Sequence, residues 1–201
     1  MILTLTGASG TGKTTIAKEL LKNFPMDIFM VPSYTISKFR KLRSSDIPGE
    51  YKYVSEWRFS FLEIIEAFLW TVYPHGNVYG TTKYWVKKAL RNDNVVYVMI
   101  LTPDAVKKLN SFAEKLGYSE QVFYFYILSP SQEVLRERLT SRGDKKDDVE
   151  KRLRDCVKWD PEIRSWGVDY EFVKNDNTIE SVTEEVTNCF LNKLSNSDDY
   201  F

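Results

Sequence analysis

A glycine-rich segment near the start of the chain constrains the fold more than any other feature. It reads Gly7, Ala8, Ser9, Gly10, Thr11, Gly12, Lys13, Thr14 and fits the pattern G-x-x-x-x-G-K-[ST] in full. The residues before it alternate between large apolar side chains and threonine, which predicts a short buried strand. The residues after it place Ile16, Ala17, Leu20 and Leu21 on one helical face. Strand, glycine loop and helix in this order are the context in which such a pattern binds phosphate.

The residue types explain how this loop would hold an anion. Its glycines let successive backbone N–H groups point inward, and the helix that follows adds the positive end of its dipole. Lys13 is predicted to reach the β- and γ-phosphates of a nucleotide, and Thr14 to offer its hydroxyl to Mg²⁺. The alternative is a glycine-rich turn that only links a strand to a helix.

Composition bounds the size of the protein and its partners. With 201 residues, 43% of them apolar, the chain fits one α/β domain with small inserted subdomains. The 28 basic and 28 acidic residues balance, so net charge gives no support for a nucleic-acid or membrane partner. Cys156 and Cys189 fit buried helix positions, and His75 lies in a turn signal. Because no apolar run is long enough to span a bilayer, we expect a cytoplasmic protein.

Strand and helix patterns alternate along the rest of the chain. Apolar runs predict buried strands at residues 28–31, 95–101, 122–128 and 169–173. Amphipathic patterns predict helices at residues 103–117, 130–143, 149–159 and 179–194, and a further helix from residue 55 to residue 69. This alternation predicts a mainly parallel sheet with helices on both faces.

Two polar segments carry arginines with a spacing suited to phosphate. In residues 33–43, Arg40 and Arg43 lie among hydroxyl side chains, and guanidinium groups bind phosphate oxygens bidentately. A solvated basic loop is an equally good interpretation.

The second segment is residues 138–159, where arginines flank a charged stretch. Such an arrangement suits a lid that closes on a transferring phosphoryl group. From the local pattern alone, an ordinary solvent-facing helix pair is the simpler interpretation.

The order of these motifs resembles the guanylate kinase family over the chain apart from its tail. Arg40-x-x-Arg43-x-x-Asp46-x-x-Gly49 resembles the family's R-x-P-R-x-G-E-x-x-G segment. Residues 51–54 resemble its Y-x-F-V, residues 77–81 its N-x-Y-G-[ST], residues 135–143 and 151–153 its lid pattern, and residues 175–176 part of its late V-N-D-D.

The resemblance implies a P-loop kinase fold in one domain with three parts. The core would comprise residues 1–32, 91–137 and 160–194, followed by a loose tail at residues 195–201. A nucleoside monophosphate (NMP) binding subdomain would be inserted at residues 33–90, and a helical lid at residues 138–159.

The resemblance also implies a role for each matching residue. Lys13, Arg138 and Arg152 would neutralise the transferring γ-phosphoryl group, with Thr14 on Mg²⁺. ATP would be bound by Gly7, Ala8, Ser9, Gly10, Thr11, Gly12, Lys13, Thr14, Thr15, Arg142 and Asn175. The acceptor phosphate would be held by Arg40, Arg43, Tyr51 and Tyr79, with a hydroxyl from Ser37 or Thr35, and Thr81 would touch the base. Because the acceptor phosphate is itself the nucleophile, no dedicated base is required.

The residues that would read the base depart from the family pattern. The family reads guanine with a glutamate in an F-[IL]-E segment and an aspartate in a D-x-D after the central strand. Here the D-x-D positions hold Ile100 and Thr102, and the glutamate corresponds either to Glu63, with gaps, or to Trp70, without gaps. The ungapped alignment is narrowly preferred. Trp70 and Thr102 would suit stacking and a neutral base edge, such as that of a pyrimidine or a modified base.

Guanine itself would still need acceptors for its N–H groups. Leaving a buried donor unpaired costs about 1–3 kcal/mol. If guanine is the base, Glu63, Glu66 and Asp104 are therefore the first candidates to replace the missing carboxylates.

We therefore expect an ATP-dependent nucleoside monophosphate kinase of guanylate kinase type, with Mg²⁺ as cofactor and GMP or dGMP as the default acceptor. One alternative is a kinase for a pyrimidine or modified-base nucleotide. A second is a non-catalytic, guanylate-kinase-like module that binds protein, although the intact phosphate loop and lid arginines argue against it. A third is a sugar-phosphate kinase, which would not need Tyr79, Gly80 and Thr81.

Overall fold

Two sheets organise the chain in a computed structural model, which describes residues 1–42, 46–73, 76–143, 146–175 and 178–198. The strands are β1 (Ile2–Thr6), β2 (Ile28–Met30), β3 (Ser33–Ile36), β4 (Tyr51–Val54), β5 (Phe68–Val72), β6 (Tyr79–Thr82), β7 (Val96–Leu101), β8 (Val122–Leu128) and β9 (Tyr170–Lys174). The α-helices are α1 (Lys13–Asn23), α2 (Glu56–Ile64), α3 (Lys83–Leu90), α4 (Pro103–Leu116), α5 (Gln132–Ser141), α6 (Lys146–Glu162) and α7 (Ile179–Asp198). Arg43, His75 and Asp176, the second residue of the late motif at residues 175–176, lie outside the described residues.

The larger sheet has five parallel strands in the order β2-β7-β1-β8-β9. Strand β1 is central, and all of its residues are buried. Alternation along β1 sends Ile2 into the core beneath α4, whereas Leu3 and Leu5 join the core beneath α1 and α7. Helices therefore cover both faces of a parallel sheet, and the predicted α/β fold class is confirmed.

The smaller sheet has four strands in the order β4-β3-β6-β5, and the sequence patterns did not predict it. Strand β3 is parallel to β4 and antiparallel to β6, which is antiparallel to β5. Pairing aligns Tyr51 with Ser33 and Trp70 with Thr81, and the hydroxyls of Ser33 and Thr81 lie 3.2 Å apart. These four side chains therefore form one row across the sheet.

The helix predicted to run up to residue 69 ends earlier than expected. The Ser55 hydroxyl accepts a hydrogen bond from the Arg58 amide and caps α2, which ends at Ile64. Glu66 then adopts φ 51°, in the left-handed region that breaks a helix. Pairing of the following apolar residues with β6 makes them strand β5 instead of a continued helix.

The α5 and α6 helices pack on each other and on the glycine-rich loop. Their shared core contains Leu135, Leu139, Val149 and Leu153, and it includes Ala8 of the loop. The segment predicted as a lid is therefore in direct contact with the predicted phosphate site.

The last helix, α7, continues to Asp198, past the predicted end at residue 194. In the part of the chain that the structure describes, no helix has the length and apolar character needed to cross a membrane.

Candidate active site

The glycine-rich loop joins the central strand β1 to α1, and its shape excludes side chains at two positions. Gly7 and Gly12 have φ values of 141° and 95°, which favour glycine. A Cβ atom at Gly7 would lie 2.4 Å from the carbonyl oxygen of Ile127, and one at Gly12 would lie 2.0 Å from Nδ2 of Asn175. Two other segments of the same chain, at Ile127 and Asn175, therefore pack directly against the loop backbone at Gly7 and Gly12.

Cationic side chains converge on this loop. Nζ of Lys13 donates to the carbonyl oxygens of Gly7 and Ala8, at 2.8 and 2.5 Å, and so lies inside the curve of the loop. Nη1 of Arg152, from α6, donates to Oγ of Ser9 at 2.5 Å. The structure thus brings together two of the three residues predicted to neutralise the transferring phosphoryl group.

Arg138, the third residue predicted to neutralise the phosphoryl group, is linked to the loop through Asn175. Nη2 of Arg138 lies 3.3 Å from the Asn175 carbonyl oxygen, and Nδ2 of Asn175 donates to the Thr11 carbonyl oxygen at 2.7 Å. Thr14 is half-buried and Thr15 exposed in the first turn of α1, where the positive end of the helix dipole lies.

Charge and burial together make Lys13 unusual. Its pKa is lowered from 10.5 to about 7, chiefly by burial and then by the nearby cations Arg142 and Arg152, while Asp160 opposes the shift. Charging this ammonium is therefore unfavourable until an anion is close. A nucleotide phosphate would supply that anion.

We predict a pH dependence of stability that depends on Lys13. Between about pH 7 and pH 10.5 the unfolded chain binds the Lys13 proton and the folded chain does not, so this group makes stability rise with pH across that interval. Thermal unfolding of the nucleotide-free protein, followed from pH 7 to about pH 9.5, should show a steeper rise for the wild type than for Lys13→Met. Parallel curves for the two proteins would contradict the placement of a buried ammonium.

A cavity of about 220 Å³ extends from the loop to the smaller sheet. At one end it is lined by Gly7, Ser9 and Lys13. The wall formed by the smaller sheet contributes Ser33, Glu50, Tyr51, Trp70, Val72 and Tyr79. The carboxyl end of β7 contributes Met99, Ile100 and Thr102, and α6 contributes Trp159. Ligands of open α/β sheets bind at such a position, outside the carboxyl ends of the strands.

Arg40 lies behind the wall of this cavity in a cage of aromatic and acidic side chains. It is 5% exposed, and its guanidinium pairs bidentately with Asp46 through contacts of 2.5 and 2.8 Å. Nε donates to the Tyr79 hydroxyl at 3.0 Å, Nη1 donates to the Tyr53 hydroxyl, and the guanidinium carbon lies 3.8 Å from the centre of the Tyr51 ring. The cage holds this cation in one orientation next to Tyr51 and Tyr79, which line the cavity.

The residues considered for base reading are separated by the fold. Trp70 is buried and lines the cavity, whereas Thr81, its pairing partner in β6, is buried and is not among the cavity-lining residues. Glu63 is on the exposed face of α2, where it accepts from the Tyr73 hydroxyl at 3.3 Å. The hydroxyl of Thr102 is buried and has no hydrogen-bond partner among the described residues, as expected of a group that meets a ligand.

The other candidates do not line the cavity. Glu66 and Asp104 are exposed. The Ser37 hydroxyl donates to the Val54 carbonyl oxygen at 3.3 Å, and the Thr35 hydroxyl is buried against the Val78 carbonyl oxygen at 2.8 Å. Neither hydroxyl is among the cavity-lining groups.

Sequence reasoning missed four residues that the structure places at the site. Ser33, Glu50 and Trp159 line the cavity, and Asp160 accepts from the Tyr126 hydroxyl at 2.7 Å and the Ser129 amide at 3.1 Å. Ser33 could have been found among the hydroxyls before Arg40. Asp160 gave no local signal, because its partners Tyr126 and Ser129 lie 34 and 31 residues earlier in the chain.

Comparison with known proteins relates the whole chain to one family. A family model described as guanylate kinase matches residues 1–193. The guanylate kinase of Wolinella succinogenes is 37% identical over 156 residues, which cover 76% of this chain and 67% of that protein. The guanylate kinase of Oleidesulfovibrio alaskensis is 32% identical over 193 residues, which cover 95% of this chain and 86% of that protein.

The fold also has a solved counterpart. The crystal structure of guanylate kinase from Anaplasma phagocytophilum matches with a TM-score of 0.69 at 22% identity, covering 96% of this chain and 85% of that one. At this identity the likeness concerns the fold, whereas the family match and the relatives confirm the resemblance that the motifs predicted. The chain belongs to the guanylate kinase family, a family of nucleoside monophosphate kinases.

Proposed function

We propose that the protein transfers the γ-phosphoryl group of ATP to GMP or dGMP and releases the two nucleoside diphosphates. One observation carries the proposal: a single cavity joins the cationic glycine loop to Tyr51 and Tyr79, the two residues that hold Arg40 directly behind its wall. The family match and the names of the relatives support guanine as the acceptor base. They also make a protein-binding module, a pyrimidine kinase or a sugar-phosphate kinase less well supported.

The proposed reaction requires positioning and charge, and it requires no proton transfer. An oxygen of the acceptor phosphate attacks the γ-phosphorus as the bond from that phosphorus to the bridging oxygen of ADP breaks. Lys13, Arg138 and Arg152 neutralise the charge that spreads over the γ-oxygens. Arg40 holds the acceptor phosphate in line, since its cage has already fixed the direction of the guanidinium.

The donor set fits Mg²⁺ brought in with ATP. The described residues include no cluster of three or more acidic, histidine or cysteine side chains that could hold a metal. Thr14, at the start of α1, would add its hydroxyl to ligands supplied by phosphate oxygens and water, which is how Mg²⁺ is commonly bound. Bound there, the ion would neutralise charge on the β- and γ-phosphates.

We also propose the cytoplasm as the site of this activity. Both cysteines are free thiols, as is usual for proteins of a reducing compartment. A kinase of this type also depends on the ATP pool of that compartment.

The proposal is tested by measuring ADP release with ATP and Mg²⁺ against every common ribo- and deoxynucleoside monophosphate. GMP or dGMP is expected to give the highest kcat/KM. ATP without an acceptor is the control for background hydrolysis. A preference for a pyrimidine nucleotide, or turnover with none of these acceptors, would overturn the proposal.

A further inference from the structure

We propose that Asp160 is a positioning residue that anchors α6 to the end of β8 and thereby sets Arg152 against the glycine-rich loop. Asp160 would act through Arg152, so its assignment rests on the proposed function, which gives Arg152 a role in the reaction. The proposed reaction uses no group of Asp160 itself. Its importance follows from what its carboxylate binds and from what α6 carries.

The carboxylate of Asp160 joins α6 to the carboxyl end of β8 by two hydrogen bonds. Oδ1 accepts from the Tyr126 hydroxyl at 2.7 Å, and Oδ2 accepts from the Ser129 amide at 3.1 Å. An ionised acceptor makes each bond stronger than a bond between neutral groups. Because hydrogen bonds are directional and the two oxygens use separate donors, they fix both the distance and the orientation of this part of α6.

The end of β8 that binds Asp160 also supports the glycine-rich loop. Tyr126 pairs with Thr6, the residue before the loop, and the carbonyl oxygen of Ile127 packs directly against Gly7. Asp160 therefore ties α6 to the same piece of chain against which the loop is built. A shift of α6 relative to β8 would also be a shift relative to the loop.

Helix α6 carries two residues of the site at fixed distances from this anchor. Trp159, next to Asp160, lines the cavity. Arg152 lies about 12 Å before Asp160 along the helix axis and donates to Oγ of Ser9. The apolar packing of α6 on α5 and the loop is not directional, so it does not fix the rotation of the helix. The anchor at Asp160 supplies that constraint.

The hydrogen bonding within α6 is interrupted beside the anchor. Pro161 lies inside the helix and has no amide hydrogen to donate to the carbonyl oxygen one turn earlier. The chain then continues into a short 3₁₀ helix (Ile163–Trp166), and Ile163 is buried in the core beneath α4. The end of α6 is therefore expected to stay attached through Ile163 when Asp160 is replaced, and to lose its direction.

The test compares Asp160→Ala in two backgrounds by the ADP-release assay. In the wild type it is expected to lower kcat about thirtyfold, with the KM values for ATP and GMP within about threefold. In an Arg152→Met background it should lower kcat by no more than about twofold, because the group that it misplaces is already absent. Structural damage alone would lower kcat by the same factor in both backgrounds.

Three further variants identify the property of Asp160 that matters. Asp160→Asn is expected to keep kcat within about threefold, since its amide can accept from the Ser129 amide and donate to the Tyr126 hydroxyl oxygen. Tyr126→Phe removes one of the two bonds and is expected to lower kcat about fivefold. Asp147→Ala is the matched control at an exposed position of α6, and it should leave kcat unchanged.

The outcomes separate the role of Asp160 from the proposed function. If the wild type phosphorylates GMP and Asp160→Ala keeps its kcat, or loses the same factor with and without Arg152, Asp160 does not position Arg152. An equal loss in Asp160→Asn would assign the effect to charge and exclude the anchor. If another nucleotide is the acceptor, the proposed function fails, and the same comparison with that nucleotide decides the role of Asp160. Should Asp160→Ala not fold, Tyr126→Phe in the two backgrounds makes the same distinction.

Discussion

Replacing Lys13 with methionine is expected to lower kcat by about a thousandfold or more while the protein remains folded. Methionine keeps most of the length of the side chain but removes the ammonium that lies against the Gly7 and Ala8 carbonyl oxygens. In the proposed reaction, that ammonium supplies the positive charge within the curve of the loop. The measurement is the coupled ADP-release assay with saturating ATP and GMP.

The control for this variant lies in the same helix. Lys18→Met makes the identical change in α1 at a half-buried residue that does not line the cavity, and it should leave kcat within about twofold because it removes no charge from the site. Lys13→Met should also melt at a higher temperature than the wild type at pH 7, since it no longer buries a charge. Wild-type turnover in Lys13→Met would refute the proposed mechanism.

Replacing Arg40 with methionine is expected to raise the KM for GMP by about a hundredfold or more and to leave the KM for ATP within about threefold. The guanidinium lies behind the cavity wall, and its cage fixes its direction next to Tyr51 and Tyr79, which line the cavity. In the proposed function, ATP binds at the glycine-rich loop and does not contact Arg40. The measurement is a pair of KM determinations, with each substrate varied at saturation of the other.

Arg40→Met also leaves the buried Asp46 carboxylate without its cationic partner, so the stability of the variant must be measured separately. Asp46 is 7% exposed, and removing the partner of a buried ion pair costs about 3–5 kcal/mol. The double variant Arg40→Met with Asp46→Asn removes the stranded charge, and it should regain stability without regaining the KM for GMP. Arg58→Met, on the exposed surface of α2, is the matched control. An equal rise in both KM values would contradict the assignment of Arg40 to the acceptor.

The donor end was predictable because its determinants are contiguous in the chain. The glycine spacing, Lys13 and the flanking strand and helix patterns together specify a phosphate loop. The larger sheet was equally predictable from the sequence, because strands buried on both faces are continuous apolar runs, such as the one at β8. Local signals and tertiary structure agree in both cases.

The acceptor end was less predictable because three of its four strands, β3, β4 and β6, are short and rich in polar side chains. Strand β3 has only four residues, and its hydroxyls gave the pattern of a loop. The apolar residues after α2 continued a helical spacing, and only the left-handed turn at Glu66 and the pairing of β5 with β6 made them a strand. The Glu50 carbonyl oxygen pairs with the Ser33 amide of β3, so the position of Glu50 depends on a segment that lies outside the sequence pattern around it.

The central position of β1 has a consequence for how the protein is made. Strand β1 is synthesised before its neighbours β7 and β8, which follow only after the whole smaller sheet, and Asn175 supports the loop from 164 residues beyond Thr11. Contacts this distant in sequence form slowly, because long segments must first be closed into loops. During translation the phosphate loop therefore stays without its supports until most of the chain has emerged. A nascent chain that stops before β9 is therefore expected to show no stabilisation by ATP, which thermal unfolding of such a truncated chain would measure.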